Sequence, residues 1–127
     1  MARTYRDLIV WQKAKSLAVD VYKATEGFPK TEVYGLTSQM RRSAVSVFSN
    51  IAEGQGRLTR GEFLQFLGHA RGSLLELDGQ MELAMALGYM ESGSYDQITT
   101  EIYRVLGLLN RLIDSLGLKK RPESLKP

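Results

Sequence analysis

Few side chains in this chain of 127 residues are equipped for chemistry at neutral pH. There is one histidine, His69, and no cysteine, which removes thiolate nucleophiles, disulfides and any site built from several imidazoles. A di-iron bundle places Glu three residues before a ligand His, and Phe66 stands there instead. Zinc would lack its ligands. On a helical wheel His69 falls off the apolar stripe, beside Gln80 and Glu62, and reads as a surface imidazole. Glu53 and Glu76 would approach each other if their helices were antiparallel neighbours, and such a pair could serve acid–base hydrolysis. Pairing with Arg42 or Arg71 is their expected fate. Gly54-Gln55-Gly56-Arg57 superficially matches a phosphate loop, but it follows a helical pattern and lacks the Gly-Lys-Ser/Thr ending, so it reads as a helix stop. Nothing assembles a nucleophile, a base and an electrophilic hole. The expectation is a protein without catalytic, cofactor or metal residues.

What remains is binding. Arg41, Arg42, Arg57, Arg60 and Arg71 are expected near the turn between the second and third helices or on the adjoining faces, and Arg is the side chain best shaped for phosphate. Lys119, Lys120 and Arg121 add a basic cluster near the C-terminus. These eight are the candidate nucleic-acid contacts. Tyr5, Tyr22, Tyr34 and Tyr103 show no arrangement that identifies a base-stacking platform.

The elements that must position these groups are helical. Hydrophobic residues form 43% and charged residues 24%, ordinary values for one globular domain. No apolar run reaches the ~20 residues of a membrane span and no signal peptide opens the chain, so a cytoplasmic location is expected. The net charge of +3 belongs to the last residues, because residues 1–116 hold 13 basic and 13 acidic groups. That body is polarised along the chain: five cations face two acids from Lys30 to Arg60, whereas Arg71 stands alone against seven acids from Gly61 to Glu101. Such a division suits oriented association as well as phosphate binding.

Four amphipathic stripes follow at helical spacing. Leu8, Trp11, Ala14, Leu17, Ala18, Val21 and Tyr22 form the first, ending near Gly27-Phe28-Pro29. The second runs from Tyr34 to Glu53 with Leu36, Met40, Ala44, Val47, Phe48 and Ile51 inward. Thr59-Arg60-Gly61-Glu62 has capping-box spacing and opens the third, whose stripe is Phe63, Phe66, Leu67, Ala70, Leu74, Leu77, Met81 and Met85. Ser94-Tyr95-Asp96-Gln97 has the same spacing and opens the fourth, which buries Tyr95, Ile98, Ile102, Val105, Leu106, Leu109, Leu112, Ile113 and Leu116. The pattern predicts an all-α, up-down antiparallel four-helix bundle over 1–116 and a basic, loose tail over 117–127.

Two surfaces exceed what one bundle needs. Gly68, Gly72, Gly79 and Ala86 fall within about 40° of one another on the third helix, roughly opposite its core stripe and flanked by Leu64, Leu75 and Leu83. Each interior glycine costs ~1 kcal/mol relative to alanine, which a closely packed second backbone would explain. These seven residues are the expected subunit interface; tolerated surface glycines beside leucines that flank an intramolecular neighbour are the alternative. On the second helix, Gln39, Arg42, Ser43, Ser46, Ser49, Asn50 and Glu53 make a non-core face with few charges. A polar packing seam is favoured there over a ligand surface, with Ser46, Asn50, Glu53, Ser73 and Glu76 in structural roles.

Asp7-Leu8-Ile9-Val10-Trp11-Gln12-Lys13-Ala14, Phe28-Pro29-Lys30, Tyr34-Gly35-Leu36-Thr37-Ser38-Gln39 and Arg41-Arg42-Ser43-Ala44-Val45-Ser46 are similar to segments of the bacterial 23S rRNA intervening-sequence proteins, also called S23-type four-helix-bundle proteins. Ser49-Asn50-Ile51-Ala52-Glu53-Gly54-Gln55-Gly56-Arg57 and Ala70-Arg71-Gly72-Ser73-Leu74-Leu75-Glu76-Leu77 carry the most specific resemblance, which extends from about Tyr5 to Leu116. It implies a ring-like homopentamer without established catalytic activity. Relatives serve as accessory variability determinants of diversity-generating retroelements, binding a reverse transcriptase and structured RNA. The resulting expectation is a homo-oligomer that binds structured RNA or a ribonucleoprotein. A protein-interaction adaptor, with a reverse transcriptase as its target, is the rival reading.

Overall fold

The computed structural model describes residues 4–117. They form four helices, α1 (Ile9–Thr25), α2 (Leu36–Gln55), α3 (Arg60–Ala86) and α4 (Ser92–Ser115), with short 3-10 turns at Tyr5–Asp7 and Lys30–Glu32. No strand occurs among the described residues. Each helix packs on two neighbours in the cyclic order α1, α2, α3, α4. Cross-helix contacts give the directions: Trp11 meets Phe48 and Arg41 meets Tyr22, Ser46 meets Ser73 and Ser43 meets Glu76, Arg71 meets Asn110 and Tyr103 meets Asp78. All neighbours are therefore antiparallel. The same pairs set a common height for Tyr22, Arg41, Asp78 and Tyr103.

The stripes converge as expected. Leu17, Met40, Ile51, Leu67, Leu74, Leu77, Met81, Ile102 and Leu109 are fully buried, and each such aliphatic side chain contributes about 1.5–3 kcal/mol. The six aromatic assignments move outward: Tyr22 is exposed, while Trp11, Phe48, Phe63, Phe66 and Tyr95 are half-buried at the edges of the helix contacts. Tyr34 points into solvent, since α2 begins two residues later at Leu36.

Helix ends show which capping signals operate. The Thr59 hydroxyl accepts from the Glu62 amide at 3.1 Å, but it also donates to the Glu62 carboxylate at 3.0 Å, so only half of the expected reciprocal box forms. The box expected at Ser94 does not cap α4. That helix starts at Ser92 behind Glu91, with no side-chain cap, and Ser94 lies inside it. A complete box forms instead at Thr4 and Asp7. The start of α2 is capped from outside the helix: the Glu32 carboxylate accepts from the Leu36 amide at 3.0 Å and from the Tyr89 hydroxyl at 2.8 Å. Gly35 makes room for it, since a β-carbon there would stand 2.5 Å from Glu32 Oε1. The Leu36 amide and then the Tyr89 hydroxyl hold the Glu32 carboxyl below its ordinary 4.5, and the Glu32 carboxylate raises the Tyr89 phenol.

The expected stop holds, since α2 ends at Gln55 with Gly56 as its C-cap, and Gly54 is buried in its last turn. A β-carbon there would lie 2.7 Å from Phe66 Cβ and 3.0 Å from Phe63 Cδ1. Gly54→Ala should therefore destabilise the fold by about 1–3 kcal/mol in urea unfolding despite the better helix propensity of alanine; unchanged or raised stability would contradict this packing. A depressed carboxyl contributes stability that is complete above its unfolded value and lost as pH falls through the folded one. The stability gap between the parent and Glu32→Gln should therefore shrink on acidification from pH ~6 to ~3. A gap independent of pH would contradict the cap.

Candidate nucleic-acid interface

The arginines do not form one patch. Arg41 and Arg42 lie in the first turns of α2, at the end of the bundle where α1 finishes, whereas Arg57 and Arg60 lie at the α2–α3 turn about 20–25 Å away along the helix axis. The antiparallel register explains the split, because the two ends of one helix must sit at opposite poles.

Arg41 is committed to the fold. Its Nε donates to Thr25 Oγ1 at 2.9 Å, its Nη2 donates to the Tyr22 carbonyl at 3.1 Å, and its guanidinium stacks on the Tyr22 ring at 4.5 Å. It thus supplies a cation and donors to the α1 C-terminus, where carbonyls lack intrahelical partners. Arg42 is exposed. Arg71 sits on the α4 side of α3, where its Nε donates to Asn110 Oδ1 at 3.0 Å. Arg57 pairs with Glu53 at 2.8 Å, lies 3.9 Å from Glu62 and stacks over Phe66, all at the surface.

Arg60 is exposed and meets the far end of the chain. Gly117, with φ +130°, lies beside it: a β-carbon there would stand 3.4 Å from Arg60 Nη1. Lys119, Lys120 and Arg121 lie outside the described residues.

The carboxylate pair does not form. Gly54 packs on Phe66, so Glu53 lies level with the first third of α3, and Glu76 is about ten residues, or ~15 Å, further along. Glu53 binds Arg57 rather than Arg42 or Arg71, and Glu76 accepts from Ser43 Oγ at 3.1 Å. The polar face of α2 divides accordingly. Ser43, Ser46 and Asn50 enter the α2–α3 seam, where the Ser46 and Ser73 hydroxyls meet at 2.8 Å and Asn50 donates to the Ser46 carbonyl and hydroxyl. Gln39, Arg42, Ser49 and Glu53 stay exposed. His69 is exposed at the edge of Phe66.

Among the described residues the outward face of α3 is open. Gly68, Gly72, Gly79 and Ala86 are exposed, and no described atom lies within 4 Å of a β-carbon built on any of the three glycines. Leu75 and Leu83 are exposed beside them, while Leu64 is half-buried on the α4 side. No neighbouring helix of the bundle covers the glycines.

The family model for the 23S rRNA-intervening sequence protein matches residues 6–111. This chain belongs to that family. No curated protein matches it. Among solved structures, it is similar to a protein of unknown function from the S23 ribosomal protein family of Bacteroides thetaiotaomicron VPI-5482, with 22% identity over 84% of this chain and 96% of that one, and a TM-score of 0.77. At that identity the likeness speaks for the bundle fold, which this intervening-sequence protein shares. No described helix is long and apolar enough to cross a membrane.

The contrast among the arginines is measurable. Arg41→Ala should cost about 1–2 kcal/mol of stability in urea unfolding, whereas Arg57→Ala and Arg60→Ala should each stay within about 0.5 kcal/mol. Equal effects at all three would contradict the assignment of Arg41 to the α1 C-terminus.

Proposed function

We propose that this intervening-sequence protein is a cytoplasmic, non-enzymatic homo-oligomer, pentameric as the family resemblance implies, that binds structured RNA through repeated basic poles. One observation carries the reading. Gly117 lies against Arg60 at the pole that also bears Arg57, both exposed, and Lys119, Lys120 and Arg121 follow it in the sequence. One copy offers a modest charge; several copies arranged about a common axis would repeat it on one rim, where multivalency raises affinity without new contacts. Arg42 and Arg71 lie off this pole and would contribute through the field rather than by contact.

Titration of a structured rRNA fragment at about 50 and 200 mM salt tests this proposal. Binding should weaken steeply with salt, and Arg57→Ala with Arg60→Ala should reduce the slope of log K against log salt by about 1–2. Undetectable binding at the lower salt would overturn it. The adaptor reading draws on Leu58, which is 99% exposed in the α2–α3 turn and would suit a protein partner. It predicts capture of a reverse transcriptase that survives nuclease treatment and reversal of the tail's charge.

A further inference from the structure

Two apolar surfaces on different sides of the bundle complement each other in charge. On the α1–α2 side, Lys15, Val19, Tyr22, Lys23, Val45 and Phe48 line an open groove of about 460 Å³. Val19 and Tyr22 are 45% and 42% exposed, and both cations sit at its edge. Across the bundle, the outward face of α3 forms a ridge in which Leu75 and Leu83 stand beside glycines without side chains.

Their charges are opposite. Over α1 and α2 as far as Ala52, Lys13, Lys15, Lys23, Arg41 and Arg42 are countered by Asp20 alone. From Gly72 to Tyr103 there are six acids and no Lys or Arg. Two of those acids, Asp78 and Glu82, flank the ridge, held by the hydroxyls of Tyr103 and Tyr95. The Asp78 carboxylate, which accepts from the Tyr103 hydroxyl, in turn raises the Tyr103 phenol. Across an interface this pattern favours groove against ridge and opposes groove against groove or ridge against ridge.

Height decides what such pairing builds. Tyr22 in the groove and Asp78 beside the ridge lie level along the bundle axis, since Arg41 reaches Tyr22 and its near neighbour Ser43 reaches Glu76. A head-to-tail contact between surfaces at one height adds no rise along the bundle axis, so repetition keeps the copies in one layer, where the angle between the two faces sets whether they close into a ring. We infer that the α3 ridge of one copy docks in the α1–α2 groove of the next, with Lys15 and Lys23 facing Asp78 and Glu82. This rests on the self-assembly put forward above and names the two faces that meet.

The test uses two variants of the full chain. Val19→Glu with Lys23→Glu removes the groove, and Gly79→Lys with Leu83→Lys removes the ridge; all four positions are exposed, and circular dichroism checks the fold. Sedimentation should show an oligomer for the parent and monomers for each variant alone. A 1:1 mixture should give a dimer and nothing larger, because one chain retains a ridge and the other a groove. An oligomeric parent whose variants stay monomeric when mixed would overturn the pairing, as would a groove variant that still assembles. A monomeric parent would instead overturn the assembly itself. Zero-length carbodiimide cross-linking of mixed light and heavy parent protein needs no variant: mixed-isotope peptides joining Lys23 or Lys15 to Glu82 or Asp78 are expected, and their absence from an assembled sample would contradict the docking.

Discussion

A helix that buries one stripe and leaves leucines on the opposite side keeps apolar surface in water unless something covers it. That constraint governs α3. Its inward side is occupied by Leu67, Ala70, Leu74, Leu77, Met81 and Ala84, all buried, so rotation about its axis would expose more than it hid. Its flanks are committed as well, to Ser43 and Ser46 of α2 and to Tyr103 and Asn110 of α4. Among the described residues there is no fifth helix to place over Leu75 and Leu83. On the proposed reading a second copy provides the cover.

The α2–α3 seam makes α3 hard to displace. Gly54 brings the α2 backbone against Phe63 and Phe66, while small hydroxyls further along bridge the helices at hydrogen-bond distance. Close approach at one end and polar registration in the middle hold the helix at a set rotation. The outward glycines and leucines consequently point in a defined direction, as does Arg60 at the pole where Gly117 arrives.

Much of this was legible in the residues. Periodicity located four helices and nearly all of the core, because burial enforces a 3.6-residue repeat that surface chemistry cannot imitate. The seam residues were also legible, since Ser and Asn on a helix face suit packing better than solvation. Register was not. The clustering of Arg41 with Arg57 required knowing which helix end each occupies relative to its neighbours, and proximity in sequence misled. Local signals failed where a distant group outcompeted them. Ser94 has capping spacing but lies inside a helix that begins at Ser92, and α2 is capped by Glu32, whose position is stabilised by Tyr89 from far along the chain. Arg41 reads as a phosphate ligand in isolation; only the fold reveals the helix end it caps.

The proposed assembly turns a body with 13 charges of each sign into something directional: opposite halves attract in succession while the basic poles gather on one rim. Sedimentation velocity of the unmodified chain, from low to high micromolar concentration, addresses that claim most directly. The account predicts one discrete species several times the 14.2 kDa monomer, whose mass ceases to grow with concentration because a ring is closed. A monomer throughout the range, or a mass that climbs without limit, would contradict it.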